Sequence, residues 1–458
     1  MDLPVEFLEK YKKILGEEFA AFHASFDQPV QTAFRVNPLK ELDERFRVAK
    51  DLLISPPNST DGSVSKFEKI PKQHFGYYGK ISGKSIEHVT GLIYSQEPAA
   101  QVVGEVAAPK KGMRVLDLCA APGGKSTHLA SFLENTGILV SNEISNKRSK
   151  ILVENSERFG SRNTIVLNEQ PERLARVFPA YFDLIVLDAP CSGEGMFRKN
   201  PSAIQYWTEN YPAECAELQR AIITEALKML APGGHLIYST CTWAPEENEA
   251  NIRWILENYP ELALQDIPKT NGLQAGLNMP EVVRCWPHRF RGEGQFVAHL
   301  VDTGKKLETL KVKSGKSNLT REQVQLWEDF SHRYLLTELS AGILQVFGDQ
   351  LYLLPDGLPD LSSLKIARNG LHLGVFKKKR FEPSLALGMA LKPAEVTTSL
   401  EISEEQFQNY VSGATFATDK AVSKGWVQLT VGGNGLGFAK NVNGIIKNYF
   451  PKGLRFIS

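Results

Sequence analysis

A doubly wound α/β fold is the expectation for the middle of this chain, with a small region before it and a β-rich region after it. Between residues 95 and 300 short apolar runs alternate with longer amphipathic ones, as parallel strands alternate with covering helices. One of these runs enters a Gly-rich turn, in VLDLCAAPGGKS. Two others end in cysteine-bearing segments, DAPCSGEGMFRK and STCTWAPEENE, which puts Cys191 and Cys241 at the same edge of one sheet. Ligands of such sheets bind at the carboxyl ends of the strands.

The chain of 458 residues is long enough for two to four domains, and its hydrophobic and charged fractions are ordinary for a soluble protein. No run approaches a membrane span, and MDLPVEFLEKYKKIL reads as an amphipathic helix rather than a targeting peptide, so a cytoplasmic location is expected. The five cysteines (Cys119, Cys191, Cys215, Cys241, Cys285) show no CxxC pair and no zinc spacing, so neither a metal nor a disulfide framework is expected. The net charge of +1 is uneven: from residue 361 onward 13 Lys and Arg stand against 6 Asp and Glu, or +7, which leaves −6 for the first 360 residues. A basic tail beside an acidic body fits a phosphate-binding appendage, or simply a lysine-rich solvated surface.

In chain order, residues 1–90 form a leading domain: a helix, then AFRVNPLK, then a second helical stretch broken by SPPNSTDGS. The catalytic region is 91–302. Its strands are RVLDLC, GILVSNE, TIVLNE, FDLIVLDAP and HLIYSTCT, with helices between them that include AECAELQRAIITEALKML, and QFVAHL is a candidate last strand. Residues 303–320, with five lysines, read as a flexible linker. From 321 to 458 Gly and Pro separate short strands, as one or two small β modules require.

In CAAPGGKS, Gly123 and Gly124 let backbone approach a ligand, and the helix that follows offers unpaired N–H groups. A phosphate-binding GxxxxGK(S/T) loop would need glycine where Cys119 stands, and GxGxxG is absent, so ATP and dinucleotides are poor candidates. Glu143, ending the second strand, sits where an acid accepts hydrogen bonds from a ribose diol; a helix N-terminal acid would look the same. Asp188 ends FDLIVLD, where partial desolvation and a base ring are its expected company. Arg198 and Lys199 are candidate phosphate clamps. Cys241 is placed for activation, Cys119 for packing beneath a cofactor, and Cys215 and Cys285 for structure. Tyr206 and Trp207 could stack on bases, but packing is the safer reading, as it is for His128.

Together RVNPLK, LDLCAAPGGKS, DAPCSGEG and STCTWAPEENE resemble the NOL1/NOP2/Sun family of RNA cytosine-C5 methyltransferases, over about residues 30 to 300. The β-rich basic tail is similar to that of the bacterial branch that methylates small-subunit (16S) ribosomal RNA and carries a PUA-like C-terminal module. The resemblance implies a class I Rossmann-like methyltransferase core using S-adenosylmethionine. Cys119, Ala120, Ala121, Pro122, Gly123, Gly124 and Lys125 match the family's cofactor loop, Glu143 its ribose-binding acid and Asp188 its carboxylate between methyl donor and base. Gln170 falls where the family often has an adenine-contacting Asp, and an amide there can still hydrogen-bond the exocyclic amine.

The resemblance also gives the two thiols their work. Sulfur added at C6 turns the weakly nucleophilic cytosine ring into an enamine that can accept a methyl group at C5. By family analogy Cys241 attacks and Cys191 assists product release; the sequence alone allows the reverse, since DNA cytosine methyltransferases use the Pro-Cys thiol. The target base must leave its stack, so single-stranded or splayed RNA is the expected substrate form, met by a monomer without membrane or metal. Transfer RNA remains an alternative substrate. A non-catalytic RNA chaperone and a methyltransferase for protein or small molecules are the rival classes, and steep salt dependence of binding separates RNA from the last.

Overall fold

The computed structural model describes residues 1–41, 67–304, 315–339 and 341–457. The SPPNSTDGS break and most of the lysine-rich linker lie outside these residues. Strands β1 (Ala33–Val36), β2 (Gly76–Tyr78) and β3 (Ile93–Ser95) make a small antiparallel sheet in the order β2-β1-β3. The central sheet follows with β4 (Arg114–Asp117), β5 (Ile138–Asn142), β6 (Thr164–Leu167), β7 (Phe182–Asp188) and β8 (Leu230–Thr240), all parallel to their neighbours. These are the five strands expected from the apolar runs. The expected last strand, QFVAHL, is β12 (Gln295–Asp302), antiparallel to β8, and it brings with it β9 (Leu262–Gln265), β10 (Gln274–Gly276) and β11 (Met279–Cys285), which the sequence reading lacked.

FDLIVLD is apolar throughout because β7 is covered on both faces. Phe182, Ile185 and Leu187 pack against Ile223 and Met229 of the helix Tyr211–Met229, whereas Leu184 and Val186 meet Val103, Leu129 and Leu133 on the other side. From β4 the chain builds outward through β5 and β6, then returns to lay β7 and β8 on the other flank, which makes the β4/β7 boundary the switch point where a crevice opens.

The leading segment packs onto the catalytic region: the helices Val5–Leu15 and Phe19–Ser25 bury Phe7, Tyr11 and Phe22 against Phe197, Trp207, Trp243 and Trp286. The region after Arg321 opens with a helix, Arg321–Tyr334, started by a capping box of Thr320 and Gln323 and held by Trp327 and Phe330, rather than with a strand. Beyond it come β13 (Gly342–Phe347), β14 (Gln350–Pro355), β15 (Ile366–Asn369), β16 (Leu371–Lys377) and β17 (Arg380–Pro383). Four of them form an antiparallel sheet, β13-β14-β16-β17, while β15 leaves to pair with β6 at the edge of the central sheet. The last module is a sheet of β18 (Ser399–Glu401), β19 (Phe416–Ala417), β20 (Gly425–Val431), β21 (Asn434–Val442) and β22 (Ile445–Lys447) in the order β18-β20-β21-β22-β19. Lys40 of RVNPLK is buried and donates to Met389 O, and Arg162 donates to Ala390 O at 2.7 Å, so cations from the body bind the carbonyl end of the helix Leu385–Ala390. No helix among the described residues is long and apolar enough to cross a membrane.

Candidate active site

The Gly-rich turn leaves β4 at its carboxyl end and becomes the helix Gly124–Leu133. Gly123 has φ +114°, a left-handed conformation that a side chain resists, and a Cβ there would stand 3.1 Å from Leu152 Cδ1. The turn is pinned from three sides. Arg148 donates to Ala121 O and Asn155 to Pro122 O, each at 2.7 Å, and Arg35 of β1 donates to Gly124 O at 2.6 Å. RVNPLK thus supports the turn with one residue and the C-terminal region with another.

Beneath the turn lies a polar floor that the sequence reading overlooked. Asp117 and Ser141 are register partners on β4 and β5, both buried; Asp117 Oδ2 accepts from Ser126 Oγ at 2.6 Å, while Asp117 Oδ1 and Ser141 Oγ have no partner. Burial pushes the Asp117 carboxyl up to about 7, against the pull of Ser126. The signal was available, as a polar residue at the end of each apolar run. Glu143, just past β5, is buried and accepts from Ser145 N at 2.9 Å. Gln170 is exposed at the N-cap of the helix Pro171–Val177, whereas its neighbour Glu169 is buried and accepts from Lys365 N at 2.8 Å.

Strands β7 and β8 deliver the thiols. Asp188 is in register with Ser239, and just beyond them Cys191 Sγ and Cys241 Sγ lie 3.3 Å apart. Cys191 is held well above the ordinary thiol range, first by its hydrogen bond to Cys241 and then by burial. Asp188 links the thiols to the turn: its Oδ2 accepts from Lys125 Nζ at 2.6 Å, and its Oδ1 accepts from Ser239 Oγ at 2.7 Å and Gln295 Nε2 at 3.2 Å. Burial works against the Lys125 ammonium, but Asp188, Asp117 and Cys241 raise its pKa above the usual lysine value. The turn, a carboxylate and two thiols therefore share one end of the sheet, as the motifs required.

Cys119, Cys215 and Cys285 have raised thiol pKa values, by burial first in each case, with Cys215 at about 12. His128 is fully buried beside Glu105, and burial lowers it to about 4. Trp207 is buried and donates to Glu194 Oε1 at 3.0 Å, whereas Tyr206 is 76% exposed. Arg198 corrects an expectation. It is not a free phosphate clamp, because its guanidinium is spent inside the protein on Glu293 at 2.9 Å, Gly292 O at 2.9 Å and Ser25 O at 3.0 Å. Lys199 is exposed.

Family models match the chain in four segments. They are the N-terminal domain of 16S rRNA methyltransferase RsmF (residues 3–98), 16S rRNA methyltransferase RsmB/F (105–301), the RsmF rRNA methyltransferase first C-terminal domain (329–391) and the methyltransferase RsmF PUA domain (397–456). Ribosomal RNA small subunit methyltransferase F of Psychromonas ingrahamii is 31% identical over 99% of this chain and 97% of its own length. The chain belongs to this RsmF family. The namesake from Shewanella sp. (strain W3-18-1) is 30% identical, covering 94% of this chain and 92% of its own. Among solved structures, a methyltransferase homolog from Pyrococcus horikoshii superposes with a TM-score of 0.54 at 30% identity, over 66% of this chain and 94% of that one. NSun6 from Pyrococcus horikoshii with SFG gives 0.55 at 25% identity, over 66% and 99%. The protein is thus an S-adenosylmethionine-dependent methyltransferase with a Rossmann-like core and a PUA-like C-terminal module. Its turn fits that cofactor: the unpartnered Asp117 Oδ1 and Ser141 Oγ and the buried Glu143 offer acceptors to an ammonium and to ribose hydroxyls.

Proposed function

We propose that the protein methylates C5 of a cytosine in 16S ribosomal RNA, with Cys241 as the attacking thiol, Cys191 assisting release and Asp188 facing the N3 edge of the base. The observation that carries this reading is the 3.3 Å contact between the two thiols beside Asp188, itself joined to the cofactor turn by Lys125. S-adenosylmethionine supplies an electrophilic methyl group. Cys241, as thiolate, would form a bond from Sγ to C6, and the electron pair released at C5 would take the methyl group as its bond to the donor sulfonium breaks and a neutral thioether leaves. Loss of the C5 proton to a base then restores the C5=C6 bond and expels the Cys241 thiolate. Cys191, 3.3 Å from Cys241, is placed to assist release of the methylated product. Cys119–Lys125 and Glu143 would hold the cofactor, and Gln170, exposed at a helix N-cap beyond β6, would reach the adenine. The PUA-like module and Lys199 would engage the RNA backbone, in the cytoplasm, with the protein acting as a monomer.

The test uses Cys241→Ala and Cys191→Ala with S-adenosylmethionine and either 16S rRNA or isolated small subunits, followed by denaturing gels and sequencing of trapped RNA. Cys191→Ala should accumulate a covalent RNA adduct. Cys241→Ala should form none and make no 5-methylcytosine while still binding cofactor. An adduct with Cys241→Ala alone exchanges the thiol roles, and methylation of transfer RNA instead of 16S rRNA overturns the substrate.

A further inference from the structure

Each thiol is followed by a hydroxyl residue, and the hydroxyls also meet: Ser192 Oγ lies 2.9 Å from Thr242 Oγ1. The row continues at both ends. Ser192 Oγ contacts Glu247 Oε1, and Thr242 Oγ1 lies 2.9 Å from Glu194 Oε2; all four side chains are buried. Three oxygen–oxygen contacts in a line need three protons, and two hydroxyls supply two. A buried oxygen pair without a proton between its members is repulsive, so one carboxyl must contribute the third.

The remaining partners decide which. Glu194 is an acceptor at both oxygens, from Trp207 Nε1 at 3.0 Å and from the Tyr11 hydroxyl. Glu247 is asymmetric. Its Oε2 accepts from Ser192 N at 3.0 Å and Gln219 Nε2 at 2.7 Å, as a carbonyl oxygen does, which leaves Oε1 as the hydroxyl facing Ser192. Thr242 Oγ1 accepts from Ala244 N at 3.1 Å, which agrees with its own proton pointing at Glu194.

We infer that Glu247 is a neutral carboxylic acid in the working enzyme, donating through Ser192 and Thr242 to Glu194, and that this row is the positioning device that keeps the two thiols in contact. The inference rests on the catalytic reading above. Burial in first place pushes Glu247 up to about 7, in the same direction. The titratable groups that face it are Glu194, Cys191, Tyr211 and Cys215 on the helix Tyr211–Met229, and Tyr238 of β8.

The full chain is assayed for methylation of 16S rRNA as Glu247→Gln, Glu247→Ala, Thr242→Val and Thr242→Ser, with melting curves for each. A glutamine replaces the acid's O–H with an N–H donor and keeps its carbonyl, so kcat should stay within about threefold of wild type. Glu247→Ala and Thr242→Val should lose about tenfold or more in kcat with an unchanged KM for RNA, and Thr242→Ser should recover it. Difference infrared spectra at pH 6 should show a protonated-carboxyl band that Glu247→Gln abolishes. Glu247→Gln as weak as Glu247→Ala, or no such band, overturns the neutral acid; full kcat in Thr242→Val overturns the positioning role. If wild type makes no 5-methylcytosine, the functional reading fails, and the infrared band still decides the protonation state.

Discussion

Arg284 offers the sharpest test of how the Cys241 loop is held. Its side chain is 0% exposed and that of Glu249 is 1% exposed. Its Nε donates to Glu249 Oε1 at 2.7 Å, Nη1 donates to Trp243 O at 2.7 Å, and the guanidinium lies 5.3 Å from the centre of the Trp286 ring. Arg284→Met keeps most of the volume but strands the Glu249 carboxylate in the interior and removes the donor from a carbonyl two residues past Cys241. Breaking a buried pair from one side costs about 3–5 kcal/mol. For a domain of this size each kcal/mol moves Tm by about 2–4 °C, so a fall of about 6–20 °C is expected. Urea denaturation followed by tryptophan fluorescence reads the loss directly, since Trp243 and Trp286 stack at 5.8 Å beside the pair. Adding Glu249→Leu should return more than half of the loss, because the stranded charge is most of the penalty and what then remains is the Leu277 N–H without its 2.9 Å acceptor and the Trp243 carbonyl without its 2.7 Å donor. A single-variant loss below about 1 kcal/mol, or a double variant no better than the single, refutes the assignment of that energy to an uncompensated charge.

Three further outcomes follow from the site. Arg198→Ala should lower stability by about 3–5 kcal/mol by stranding Glu293, and leave the salt dependence of RNA binding unchanged. Lys199→Ala should leave stability alone and make the slope of log K against log salt shallower by about one unit, both read by filter binding across a salt series. Asp117 has a folded-state pKa raised from 3.8 to about 7, so the native state binds its proton more tightly than the unfolded chain does. Its contribution is fully present below pH 4 and is lost as pH rises through 7, on the order of 4 kcal/mol. Cofactor-free Asp117→Asn should therefore show a flatter Tm profile than wild type between pH 4 and 7, and parallel profiles would count against the shift.

The parallel core was legible because its strands are wrapped on both faces and so read as unbroken apolar runs ending in DAP and STC. The thiols and the turn were legible for the same reason, since chemistry gathers where such runs end. Strands β9 and β10 were missed because LALQ and QAG are short and half-exposed, and β11 because Pro280 and Glu281 interrupt the apolar run of MPEVVRC. Arg198 was misread because its sequence neighbours, a glycine-rich stretch and a lysine, look like a phosphate loop; the acid that claims it stands at Glu293, 95 residues away. The aromatic seat under the thiol loops was hidden similarly. Tyr11 reads as part of one face of an amphipathic helix, and nothing local says that the face meets Trp243, 6.1 Å from Tyr11 between ring centres.

The pairing of β15 with β6 has a practical meaning for anyone who divides this protein. Cutting the chain in the lysine-rich segment would free a catalytic half whose outermost strand, TIVL, presents bare backbone donors and acceptors in a β-branched sequence. Such an edge recruits strands from other molecules. The isolated half is therefore expected to self-associate unless residues 366–369 travel with it, and a transplant of the C-terminal modules onto another enzyme would have to bring a matching rim.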